Sequence, residues 1–148
     1  YEGTNGIQAM DLVGRKLAAD DGRHWRTLIA DIAAFAIAHP TWGGLAAATT
    51  ALSQSSEHLA TADPRDKGAV AALYLRQFAV TAGAWLLARQ AVEAEKRLAA
   101  SLGDPQFLKR KIASARFYHD QLLPQVVSFT GPILTGAAAL PDIDLFAA

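Results

Sequence analysis

The side chains that could carry chemistry in this sequence are four histidines, three tryptophans, a few serines and one mixed run of charges. His24, His39, His58 and His119 would read as metal ligands at three- or four-residue spacing on one helical face, and none is expected to stand so near another histidine or a second obvious ligand. There is no cysteine, which excludes thiolate metal sites and disulfide frameworks. Asp120 follows His119, but neighbours on a helix point about 100° apart, so the two make no dyad. A core histidine bonded to a polar neighbour is expected instead. Trp25, Trp42 and Trp85 could line a cage for a ligand, yet each stands on an apolar stripe or beside a helix start, where large rings fill cores. Arg89, Glu93, Glu95, Lys96 and Arg97 read as a solvated helix face, with Glu93 and Arg97 at i, i+4. No serine lies in a nucleophile elbow, and no strand precedes Gly3, Gly6, Gly43 or Gly44 to make a phosphate loop.

The elements that hold these residues are helical. The chain has 148 residues, 51% hydrophobic with only 8% aromatic, so alanine supplies much of the apolar half. Alanine favours helices in close contact and gives strands little to pack. Fourteen basic and fourteen acidic residues cancel, leaving no field for nucleic acid or an anionic membrane. The charge-free runs 32–56 and 121–141 are broken by prolines and glycines, so neither is expected to span a bilayer, and the amino terminus lacks the pattern of a signal peptide. The start at Tyr1 instead of methionine suggests a cut from a longer protein, and the absence of cysteine agrees with a cytoplasmic location.

Ile7, Met10, Val13 and Leu17 mark a leading helix, which Asp20, Asp21 and Gly22 end. Trp25, Leu28, Ile29, Ile32 and Phe35 mark a second helix, closed by Pro40, and Leu45, Ala48, Leu52 and Leu59 a third. Asp63 with Pro64, or Asp66, opens a fourth that runs to about Ala100 through Val70, Leu73, Phe78, Trp85, Val92 and Leu98. Gly103 ends it. Asp104 and Pro105 open the last, with a seam of Leu108, Ile112, Ala115, Leu122, Val126 and Phe129 that Pro124 should bend or interrupt. After Pro132 an extended or loosely packed tail is expected. The fold predicted is all-α, an antiparallel, up-and-down bundle of four main helices plus the leading helix.

The most specific signal lies in the first seventeen residues, YEGTNGIQAMDLVGRKL. Taken alone, Tyr1 to Gly6 is a helix lead-in with Thr4 or Asn5 as N-cap. As a motif it resembles the active-site segment of the acyl-CoA dehydrogenases, and more narrowly the long bacterial branch that includes 3-methylmercaptopropionyl-CoA dehydrogenase-like enzymes. In that branch an additional helical domain follows the standard fold. The segment LYLRQFAVTAGAWLLARQA is similar to a helix of the same branch. The resemblance implies that residues 1–20 end a catalytic domain carrying the motif and that residues 21–148 form a C-terminal helical bundle.

It also implies a chemistry. Flavin-dependent α,β-dehydrogenation removes a proton next to a thioester carbonyl while hydride leaves the β carbon, so a carboxylate base must face the flavin across the acyl chain. The resemblance assigns the base to Glu2, a flavin contact to Thr4 and substrate contacts to Tyr1 and Gly3. Many relatives carry glutamine where Gly6 stands, so Gly6 receives no flavin contact. The family's arginine appears one place late, as Arg15, and its role is not carried over. The implied cofactor is FAD in the full-length parent, with none expected in this fragment, which should be inactive alone. The implied partners are acyl-CoA and electron-transfer flavoprotein for the parent, and a second copy of the chain in a homo-oligomer. The other reading is a non-catalytic helical docking or oligomerisation module, with Glu2 a solvated residue. Small residues at Ala79, Ala82, Gly83, Ala84 and Ala88 would let another helix approach closely in either case.

Overall fold

The computed structural model describes residues 2–138 and residue 140, Glu2 by its backbone alone. The described residues are helical and include no strand. The helices are α1 (Glu2–Asp11), α2 (Arg23–Ala38), α3 (Gly44–Thr61), α4 (Pro64–Ala99), α5 (Pro105–Gln121), α6 (Gln125–Ser128) and α7 (Thr130–Thr135), with a π-helical turn over Leu12–Lys16 and 3-10 turns over Ala19–Gly22 and Pro40–Trp42.

The expected punctuation holds. Asp20, Asp21 and Gly22 all take positive φ, which ends the leading helical stretch and turns the chain into α2. The Asp63 carboxylate accepts the backbone N–H groups of Arg65 at 2.8 Å and Asp66 at 3.0 Å, and Pro64 fills the first helical position. Those bonds hold the Asp63 carboxyl below its ordinary range. Asp104 does the same for α5, accepting from the Gln106 N–H at 2.9 Å.

Helix α4 is the centre, in contact with every other helix. Its buried seam differs from the one expected. Val70, Tyr74, Gln77, Thr81, Ala84, Ala88 and Ala91 are buried at alternating steps of four and three, whereas Leu73, Phe78, Trp85, Val92 and Leu98 are half-buried. A helix packed from several sides takes small residues, or polar ones with their own partners, at its closest contacts, and its large side chains fill the flanks. Tyr74 donates to Ser56 Oγ at 2.8 Å, and Ser56 donates in turn to the Leu52 carbonyl at 2.7 Å. Burial pushes the Tyr74 phenol up to about 12. By length and composition α4 could cross a membrane. The central helix of a soluble protein passes that test equally, and α4 has helices packed around it.

Helices α4 and α5 run antiparallel, since Lys111 reaches Gln90 and His119 reaches Ala84, and α6 continues the same direction, with Gln125 accepting from Arg76. The small residues expected to admit another helix are largely used here: a Cβ on Gly83 would lie 2.9 Å from the Tyr118 hydroxyl oxygen. Pro124 interrupts the last helix as expected, and α5 ends at Gln121. The interruption shifts the seam, so Leu123 is buried and Leu122 is half-buried.

The tail corrects the expectation of a loose end. Gly131 and Pro132 lie inside α7, and Ile133 is buried with Leu52, Leu59 and Tyr74. Gln77 Nε2 donates to the Val126 carbonyl at 3.0 Å and to Thr130 Oγ1 at 3.1 Å, which pins α6 and α7 onto α4. Asp66 accepts the Ala137 N–H at 2.7 Å and fastens the chain beyond α7 to the start of α4. Residues 141–148, the end of the expected tail, lie outside the described residues.

Candidate functional site

The motif residues stand at the head of a helix that is anchored from its other end. Ala9, Val13 and Leu17 are buried in one cluster with Leu59, Val70, Ala71 and Tyr74, and the Leu17 carbonyl accepts the indole N–H of Trp25 at 3.1 Å. The Leu17 N–H bonds the Leu12 carbonyl at 2.9 Å, five residues back, so the helix takes one wide turn. Half of the expected stripe is therefore corrected. Val13 and Leu17 are buried, but Ile7 is 68% and Met10 51% exposed, and Ala9 takes their place in the core.

Asp11 closes this turn on the outside. Its carboxylate accepts from Arg15 Nε at 2.6 Å and Nη2 at 2.8 Å and pairs with Lys16 at 3.1 Å. These bonds, Arg15 first, hold the Asp11 carboxyl below its ordinary range. Arg15 is thus engaged with its own helix.

Residues 3–8 are all exposed. A Cβ on Gly3, Gly6 or Gly14 would meet nothing within 4 Å. Among the described residues, then, nothing crowds the turn at Gly3. Thr4 and Asn5 lie inside α1 and are not its caps, because the helix already begins at Glu2. Tyr1 and the side chain of Glu2 lie outside the described residues. Thr4 is exposed. Such an arrangement can contribute groups to a site but cannot enclose one. The nearby cavity, of about 250 Å³ and lined by Leu12, Leu17, Trp25 and Phe78, is below the usual size of a ligand pocket.

The histidines assemble no metal centre: no group of three or more potential ligands occurs among the described residues. The expectation that no histidine has a second ligand at helical spacing is corrected at His24, whose Nε2 lies 3.6 Å from the Asp20 carboxylate four residues back. His119 is the core histidine expected. Its Nε2 bonds the Ala84 carbonyl at 3.0 Å, and its ring meets Trp42 edge to face at 4.6 Å. Desolvation, with Arg116 nearby, holds its pKa below the ordinary imidazole value. The neutral form is the one the fold favours, so as pH falls below about 6.5 the unfolded chain takes up the proton first. This contribution to stability is whole above that pH and is lost on acidification. The thermal midpoint should therefore drop between pH 7.5 and 5.5, and drop less in His119→Gln, which keeps an N–H donor and does not titrate. Equal drops in the two proteins would rule out His119 as the source.

The described residues thus form an all-helical module, and its sequence class is shown by comparison. Residues 26–144 match the family described as acetyl-CoA dehydrogenase C-terminal like, and the chain belongs to that family. It is also 39% identical over 134 residues to the 3-methylmercaptopropionyl-CoA dehydrogenase of Ruegeria pomeroyi, an alignment that takes in 83% of this chain. The chain spans 23% of that relative's length.

Proposed function

We propose that this chain is the C-terminal part of a flavin-dependent acyl-CoA dehydrogenase that carries out α,β-dehydrogenation of an acyl-CoA thioester. The observation that supports this most is that Gly3 and Thr4, the described half of the Tyr-Glu-Gly-Thr motif, are exposed at the head of a helix whose far end is locked into the core of a family member. Residues 1–20 close the catalytic domain, and residues 21–148 form the bundle, with α2 to α5 as its four antiparallel members. Bound flavin supplies the acceptor for hydride leaving the β carbon. The fit lies in what surrounds the motif: Thr4 is exposed, and open space around Gly3 and Gly6 leaves room for a large planar group or an acyl chain held by other parts of the parent. In this reading Glu2 removes the α proton, Thr4 offers its hydroxyl to the cofactor, and Tyr1 and Gly3 border the acyl chain. Electron-transfer flavoprotein takes the electrons onward in the parent, which works in the cytoplasm.

The 148-residue chain alone should be inactive and colourless. A base and one hydroxyl do not hold an isoalloxazine or orient a thioester, and positioning is most of what an active site supplies. Stoichiometric flavin retained through desalting, or dehydrogenation of acyl-CoA by the chain, would defeat this reading. The bundle's part is packing and oligomerisation in the parent. Exposed Ile7 and Met10 continue the free face of α1, so the chain alone should self-associate through surface that the parent covers. Sedimentation that gives a strict monomer at every concentration would remove the homo-oligomer from the proposal.

A further inference from the structure

A long groove among the described residues lies far from the motif. It has a volume of about 650 Å³ and runs between the last third of α4, the first half of α5 and the end of α2. Met10 touches α4 at Gly68, whereas the groove is centred near Arg89, roughly 30 Å further along the same helix at 1.5 Å per residue. It therefore lies apart from the site just proposed, and the inference does not rest on that reading.

Two properties define what fits the groove. Its floor and walls are apolar: Leu108 is buried beneath it, Phe35 and Val92 are half-buried, and Leu86 and Phe107 stand 48% and 50% exposed. Its rim is basic. Arg89, Lys96, Arg97 and Lys111 line it against the single acid Glu93, in a chain whose charges cancel overall. Glu93 is already paired with Arg97 at 3.3 Å. Arg89 and Lys111 are held over aromatic rings instead, 4.9 Å from Trp85 and 5.5 Å from Phe107, so their charges are oriented without being neutralised. Among the described residues Arg89, Lys96 and Lys111 form no ion pair.

From this charge complementarity we infer that the groove docks an acidic amphipathic helix of a partner protein. The stretch from Leu86 to Arg97 covers about 16 Å, or three helical turns. Apolar residues of the partner at i, i+4 and i+7 would lie along Leu86, Val92 and Phe107, and flanking carboxylates would meet Arg89, Lys96 and Lys111. A small ligand is a poorer occupant, because such sites enclose most of the ligand surface and this groove is open along its length.

The probe is a fluorescent peptide of about twelve residues, three turns with ends, leucine and phenylalanine on one face and glutamate on the other. A second peptide carries lysine in place of glutamate. The acidic peptide should bind the 148-residue chain saturably, more weakly as salt rises, and about tenfold more weakly to the double variant Arg89→Glu, Lys111→Glu. The basic peptide should not bind. An unchanged thermal midpoint in the double variant, whose side chains lie on the surface, shows that the fold is intact. Equal binding of both peptides, or indifference to the double variant, would overturn the inference. So would saturable binding of dodecanoate with no peptide binding, which would make this a site for small amphiphiles. Loss of peptide binding in the full-length parent would mean that the parent covers the groove with its own chain, and would overturn the partner too.

Discussion

Glu2→Gln in the full-length parent should lower turnover by roughly 10² to 10⁴, the span a positioned general base contributes. Glutamine keeps the shape of the side chain and can accept no proton. Because binding does not use the proton, kcat and kcat/KM should fall together while acyl-CoA still binds, the signature of an interaction made in the transition state alone. In the proposed mechanism, burial under the acyl chain raises the proton affinity of this carboxylate when the substrate arrives. Wild-type kcat/KM should fall on acidification as that carboxylate protonates, and this acid limb should be missing from the residual activity of the variant. The fold should be unaffected, since Ala9, Val13 and Leu17 anchor α1 from its other end. A variant within a factor of two of wild type would remove Glu2 from the role, and the non-catalytic docking module would then be the better reading.

Much of the architecture is legible in the sequence because it is local. A carboxylate followed by proline announces α4 and α5, since both the cap and the fixed φ act within one turn. Pro124 breaks the last helix for the same kind of reason. What cannot be read locally is which face of α4 is innermost. Periodicity favours its large apolar residues, yet a helix touched on several sides buries Gln77 and Thr81 and leaves Phe78 and Trp85 at the flanks. Gln77 belongs in the core only because α6 and α7 return to it, a contact 49 residues away in sequence. The wide turn at Leu12–Lys16 is illegible for a similar reason: nothing in DLVGRKL marks a π turn, and without it the stripe continues through Ile7 and Met10. At the motif, residue types carry the chemistry, but they do not show that Thr4 faces open space. The basic groove is invisible because Arg89, Lys96 and Arg97 read as one solvated face of α4, and only packing brings Lys111 and Phe107 of α5 and Phe35 of α2 alongside them.

Trp42→Ala should cost about 3–5 kcal/mol of unfolding free energy, as large aromatic truncations in cores do. Trp42 is 1% exposed in the 3-10 turn between α2 and α3, and it is buried in one cluster with Ile32 and Ala36 of α2, Leu45 and Ala48 of α3 and Ala115 of α5. Its ring takes the edge of His119 on one side, and the Arg116 guanidinium lies 3.9 Å from its centre on the other. Arg116 is fixed there by donating to the Thr41 carbonyl at 3.0 Å. Removing the indole leaves a cavity, takes the support from Arg116 and opens His119 to water. A domain of this size has about 5–15 kcal/mol in total, so the loss should appear as a large shift in urea midpoint. The buried indole N–H has no hydrogen-bond partner, which makes Trp42→Phe informative. Phenylalanine fills less space but removes an unsatisfied donor that costs about 1–3 kcal/mol, so it should lose much less than alanine does. Opening the site also releases His119 from desolvation, and the dependence of stability on pH between 7.5 and 5.5 should flatten in Trp42→Ala as it does in His119→Gln. A loss below about 1 kcal/mol for alanine, or an unchanged pH dependence, would show that Trp42 does not hold this end of the molecule together.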